Sequence, residues 1–168
     1  MGNTARVFSA RMRRRGEYVS EAVNQLGVAC GVKIGDTLAR LTPIDTGAAK
    51  SNWQPSLGGP SLSLQFGAFV EGKYGSTDAA NEAAVKKNIR GVFSRRKDNE
   101  DMYLSNSLRY ISRLESSYSS IKRDIPPPPP RYQSGFVQVA LARGLARVRN
   151  NSMVKNALNY RKPRKVVR

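Results

Sequence analysis

Between Tyr18 and Leu41 the apolar residues Val19, Val23, Leu26, Cys30, Ile34, Leu38 and Leu41 recur at steps of four and three. That spacing puts them on one face of an α-helix, because 3.6 residues complete a turn. A helix over 18–41 runs about 36 Å at 1.5 Å per residue, and its apolar stripe needs cover from another element. Gly27, Gly31 and Gly35 fall four apart on a neighbouring face. Each costs about 1 kcal/mol relative to Ala in an exposed helix interior. Either another backbone approaches closely there, within the fold or from an adjacent subunit, or the helix is kinked or interrupted. Thr42 and Pro43 end it, since Pro disfavours helical geometry in the residue before it.

The following residues change period. Ala49 to Trp53 alternates, and after Gly58-Gly59-Pro60 so do Leu62, Leu64, Phe66 and Ala68, which predicts two strands joined by a turn. Thr77 to Ile89 reads as a helix capped by Thr77 or Ser76, with Ala80, Ala83, Ala84, Val85 and Ile89 as its apolar positions. Arg95 to Asp101 reads as an exposed loop, Met102 to Asn106 as a third strand, and Tyr110, Ile111 and Leu114 as a short helix behind it. The five prolines 126–130 favour polyproline II, a stiff spacer of about 3.1 Å per residue. Gly135 to Val148 then forms a last helix with Val137, Ala140, Leu141, Leu145 and Val148 inward and Arg143 and Arg147 outward. The expected fold is α+β: a long N-terminal helix and further helices packed on a small antiparallel sheet.

At 168 residues, with 39% hydrophobic and 24% charged, the chain suits one globular domain with extended ends. The organisation read from it is a basic N-terminal arm (1–16), an α+β core (17–125), a Pro-rich linker (126–134), a C-terminal helix of the core (135–149) and a basic extension (150–168). The formal net charge is +17. Residues 1–16 hold five arginines and no acid, and residues 131–168 hold ten basic residues and no acid, so the body between them is near neutral. Basic ends on a neutral body point to a polyanion, DNA first and acidic proteins second, because clustered cations repel unless counter-charge is supplied. Basic tails that merely keep the chain soluble are the plainer alternative.

Absences narrow the chemistry. There is no histidine, which removes the commonest general base and the commonest metal ligand together. With Cys30 as the single cysteine, a zinc site or a Cys-His nucleophile has no donor set. Cys30 stands among Val28, Ala29 and Val32 and suits a buried thiol packing as a small hydrophobe. Glu100 and Asp101, the only adjacent carboxylates, lie beside Arg95, Arg96 and Lys97 and read as a solvated charge cluster. Gly67 to Tyr74 fits the G-x-x-x-x-G-K phosphate frame until its last position, where Tyr74 replaces the magnesium-binding hydroxyl of Ser or Thr, and Glu71 adds negative charge. A turn at the end of a strand accounts for it better. No apolar run reaches the ~18 residues of a membrane span, and the basic run Arg11–Arg15 meets Gly16, Glu17 and Tyr18 rather than a signal-peptide core. The chain is expected to be soluble, without cofactor or metal, and not an enzyme.

Three segments carry a more specific signal. Leu41-Thr-Pro43-Ile-Asp45-Thr46-Gly47, followed by Lys50, Asn52 and Trp53, has physical reasons to form a rigid corner. Pro43 stops the helix, Asp45 and Thr46 bond their own backbone, and Gly47 supplies a geometry other residues resist. Trp53, the lone tryptophan, suits the core. Asp-Thr-Gly also occurs in aspartic protease sites, but those need a second Asp in a paired site and different flanking strands.

The segment resembles the TPvDTG…NW motif of the tail-completion or neck protein family of tailed bacteriophages. Tyr103-Leu-Ser-Asn106 through Tyr110, Ile111, Leu114 and Glu115 looks like that family's strand-to-helix segment. Tyr118-Ser119, a Pro, and then Gly135-Phe136-Val137 resemble its third. The likeness covers roughly residues 17–149, departing at the five consecutive prolines and at Ser117, where a Gly is common.

The resemblance implies a structural virion protein of the neck, assembled in the host cytoplasm. Such a subunit closes into a homo-oligomeric ring, usually a hexamer, that joins the tail tube or tail terminator to the head-tail connector and lets DNA pass. Arg11, Arg13, Arg14 and Arg15 at one end, and Arg161, Lys162, Arg164, Lys165 and Arg168 at the other, then line the channel or grip neighbouring proteins, with non-specific phosphate contact and no membrane. The rival class is a DNA-binding or packaging-accessory protein whose basic ends are its whole purpose.

Overall fold

The computed structural model describes residues 2–43, 46–97, 99–116 and 135–150. In chain order the elements are α1 (Gly2–Leu41), α2 (Ala48–Ser51), β1 (Gln54–Leu57), α3 (Asp78–Phe93), β2 (Met102–Ser105), α4 (Ile111–Ser116) and α5 (Phe136–Asn150). The fold is α+β. The Pro-rich linker, Asp45 and the basic extension after Asn150 lie outside the described residues.

α1 begins at Gly2, not near Tyr18, so residues 2–16 of the expected basic arm are not a separate unit but the first turns of one 40-residue helix. Arg, Ala and Met are strong helix formers, no proline precedes Pro43, and Gly16 alone does not stop propagation. The helix is about 60 Å long at 1.5 Å per residue. Residues 4–19 are all exposed, and cover begins near Ser20.

The glycine face of α1 receives side chains of α3. A Cβ added at Gly35 would lie 2.7 Å from Ile89 Cδ1, and one at Gly31 would lie 3.0 Å from the Phe93 ring. Gly27 faces Arg96 and Met102 in the same way. α1 runs unbroken through all three, so the close approach comes from within the fold and the helix is not interrupted there. α3 presents Asn81, Val85, Ile89 and Phe93, one residue per turn, and extends past Ile89 to reach Phe93. Ala80, Ala83 and Ala84, expected on the apolar face, are exposed.

α5 packs on α1 through Phe136, Ala140 and Gly144, which are buried, while Leu141 and Leu145 are exposed. Sequence reading had the two leucines inward. The contact selects small residues instead: a Cβ on Gly144 would stand 2.3 Å from Ile34 Cγ1. Leu38, Ala39, Trp53, Val85, Ile89, Phe93, Phe136 and Ala140 form the core.

The sheet has two antiparallel strands, with Gln54 opposite Ser105 and Leu57 opposite Met102. The expected strand 102–106 is thus present as β2. The other two expected strands are corrected. Ala48–Ser51 is a helical turn, set by Gly47 at φ +84° and built of good helix formers; five alternating residues do not separate strand from helix. Residues 62–68 form no ladder with any described strand.

Because α1 and α3 meet at glycine, Gly35→Val is expected to overpack the contact and lower unfolding stability by about 2 kcal/mol. Gly91→Ala, on the open side of α3 with nothing within 4 Å of an added Cβ, is expected to raise it by about 1 kcal/mol. Urea denaturation of both variants checks the pair.

Candidate functional site

Residues of all three sequence segments meet at one buried hub. Trp53 Nε1 donates to Thr42 Oγ1 at 2.7 Å, and Thr42 Oγ1 in turn donates to Leu38 O, so the indole is tied to the end of α1. Its ring meets Phe136 edge-on, with centroids 6.5 Å apart and planes at 84°. Phe136 is seated by Glu115: Gly135 N donates to the Glu115 carbonyl at 2.9 Å and Val137 N to Glu115 Oε2 at 3.0 Å. Gly135 adopts φ +78° to turn into α5. Asn106 Nδ2 donates to Ala49 O at 2.8 Å, joining the end of β2 to α2. Leu114 is half-buried against the core.

Around this hub Pro43 and Gly47 are buried, Tyr103 is half-buried within β2, and Thr46 and Tyr110 are exposed. Gly47 is required twice over, by its positive φ and because a Cβ would come within 2.5 Å of Asn81 Nδ2.

Two side chains hold the 61–70 segment in place of a neighbouring strand. Asn52 accepts from Gln65 N and donates to Gln65 O, both at 2.8 Å. Asn81 does the same for Ala68, at 2.8 and 2.9 Å, with Thr77 Oγ1 adding a bond to Ala68 O. Each buried amide thus offers one residue the pair of bonds a β-partner would give, satisfying groups that would otherwise be costly to bury. Along this segment Leu62, Leu64 and Phe66 are exposed, Phe66 fully. The Gly67–Tyr74 frame is a turn, with Lys73 N bonded to Val70 O. It begins within the stapled segment, not at the end of a strand, and no helix opens until Asp78.

Lys50 is completely buried, pairing with Asp78 and lying 3.9 Å from Glu82, which also pairs with Lys86. A buried ammonium is tolerable only with such partners. Sequence reading placed Lys50 in the motif without this role, and it missed Asn81 altogether: a polar residue on an apolar helix stripe gives no sequence signal for its partner.

An open groove of about 570 Å³ runs between α1, α3 and the end of α5. Its Arg90 pairs with Asp36 at 2.7 Å and its Arg96 donates to Asn24 Oδ1 at 2.6 Å, fastening the 94–101 loop to α1. Cys30 is half-buried, and burial pushes its thiol pKa up, which disfavours the reactive thiolate. Among the described residues no three of His, Cys, Asp and Glu come together to hold a metal, and no helix is long and apolar enough to cross a membrane.

Of the basic residues singled out, Arg11, Arg13, Arg14 and Arg15 lie exposed on the projecting part of α1. Arg161, Lys162, Arg164, Lys165 and Arg168 lie outside the described residues. No protein-family model, curated protein or solved structure matches the chain.

Asn52→Ala removes both bonds to Gln65. Chymotrypsin cleavage at Phe66 is expected to accelerate at least tenfold while far-ultraviolet circular dichroism stays helical; an unchanged cleavage rate would show that Asn52 does not hold the segment.

Proposed function

We propose that this chain is a structural subunit of a tailed-phage neck. It forms a homo-oligomeric ring, a hexamer as the resemblance implies, at the tail end, joins the tail tube to the head connector, lets DNA pass and carries no catalysis of its own. One observation carries the reading: residues of the three segments that resemble the neck family converge on a single hub, Thr42–Trp53–Phe136–Glu115 with Asn52 and Asn106 beside it. Those positions stiffen a scaffold, from which a basic helix and an apolar segment project. A rigid body with exposed, chemically distinct surfaces suits a part that is repeated around an axis.

The exposed Arg11, Arg13, Arg14 and Arg15 also suit a packaging-accessory protein that binds DNA by itself. In either role binding to phosphate is independent of sequence. Duplex binding is expected to weaken steeply with salt, and Arg13→Ala with Arg14→Ala to lower the log–log slope by about 0.9 for each phosphate no longer neutralised. Assembly separates the two readings. Electron microscopy of the purified protein is expected to show rings with an axial hole, and particles built without the chain to leave heads and tails unjoined. Virions that lack the polypeptide would refute the neck role.

A further inference from the structure

Two apolar surfaces stand uncovered at opposite ends of the molecule. On α1, Phe8, Met12, Val19 and Val23 continue the stripe of Leu26, Cys30 and Ile34, all within about 80° of arc at 100° per residue. α5 covers that stripe where Gly144 meets Ile34 and the Cys30 carbonyl. Beyond it the four upstream residues are at least half exposed. The second surface is the stapled segment, with Leu62, Leu64, Phe66, Phe69 and Val70 open to solvent.

Within one chain these surfaces cannot meet. The segment is anchored by Asn52, close to the C-terminal end of α1, where Trp53 bonds Thr42. Along the helix that end lies about 27 Å from Val23 and about 50 Å from Phe8. Their reach is compatible, however: Phe8 to Val23 spans about 22 Å of helix, and a chain from Leu62 to Val70 can span up to about 26 Å.

Charge selects the pairing. Two α1 stripes face to face would bring Arg11 and Arg15 against their counterparts, and the exposed Leu141 and Leu145 of α5 sit among Arg143, Arg147 and Arg149. Residues 51–70 contain no charged side chain, and Glu71 follows them. That apolar surface accepts a basic helix without repulsion and offers aromatic faces to guanidinium groups.

We propose that the Phe8–Val23 stripe of one copy docks against the Leu62–Val70 segment of the next. The two surfaces differ, so the contact is head-to-tail, the class of contact that builds a ring when the rotation from copy to copy closes. The inference rests on the ring reading above and supplies its contact.

In a Cys30→Ala background, Val19→Cys and Phe66→Cys are made singly, one of them tagged, then mixed and oxidised. A dimer of tagged with untagged chain is expected from the mixture and little from either variant alone. Equal dimer from Val19→Cys alone overturns the proposal, as does a mixture that sediments as an oligomer without cross-linking, or a wild-type chain that stays monomeric at its highest soluble concentration. Phe66→Asp, altering a side chain that packs on nothing in the fold, is expected to keep wild-type circular dichroism and weaken self-association at least tenfold; unchanged association refutes the contact. Rings without the mixed cross-link end this contact alone, whereas normal virions without the chain end the neck reading and leave the cross-link result standing.

Discussion

The Trp53 indole holds together parts of the chain that are far apart in sequence. Its N–H is bonded to Thr42 at the end of α1 and its ring packs perpendicular to Phe136 at the start of α5, so α1 and α5 are registered through one side chain. The indole N–H, buried in an apolar core, needs an acceptor, and Thr42 provides it where Pro43 has ended the helix. Glu115 then fixes the approach of Phe136, by a carbonyl and a carboxylate oxygen. The corner from Thr42 to Trp53 is thereby a fastening point rather than a loop.

From that point the molecule divides into a packed half and an exposed half. The packed half relies on small residues: Gly31 and Gly35 admit Phe93 and Ile89, and Gly144 admits Ile34. The helix propensity given up at each glycine is offset by interlocking with a side chain of the neighbouring helix. In the exposed half, α1 runs on past its contacts with α3 and α5, and the 61–70 segment is held by the amides of Asn52 and Asn81 and the hydroxyls of Thr77 and Ser105. Both features leave apolar side chains in water, the usual mark of a surface meant for another molecule.

Much of this was legible in the residue pattern, and the failures have physical causes. The spacing from Val19 to Leu41 identifies α1 but not its start, because before Tyr18 only Phe8 and Met12 extend the stripe and they stand among five arginines that read as a basic arm. Alternation at Leu62, Leu64 and Phe66 predicts a strand that the structure lacks, since a strand also needs a partner edge. Leu141 and Leu145 were read inward because large apolar residues usually mark the buried face; close packing of α5 on α1 instead favours Ala140 and Gly144. The motif positions Gly47, Asn52, Trp53, Asn106 and Glu115 were recognised, yet their partners were not.

The sequence by itself determined the helix periods, the proline stop after Thr42, the charge asymmetry and the glycine face, because these follow from local geometry and from composition. Only the tertiary structure decided which glycines meet which side chains, that Asn81 staples Ala68, that Lys50 is buried among carboxylates, and which apolar residues remain in water. Those outcomes depend on contacts between residues tens of positions apart, and a single chain's pattern carries no record of what lies opposite each face.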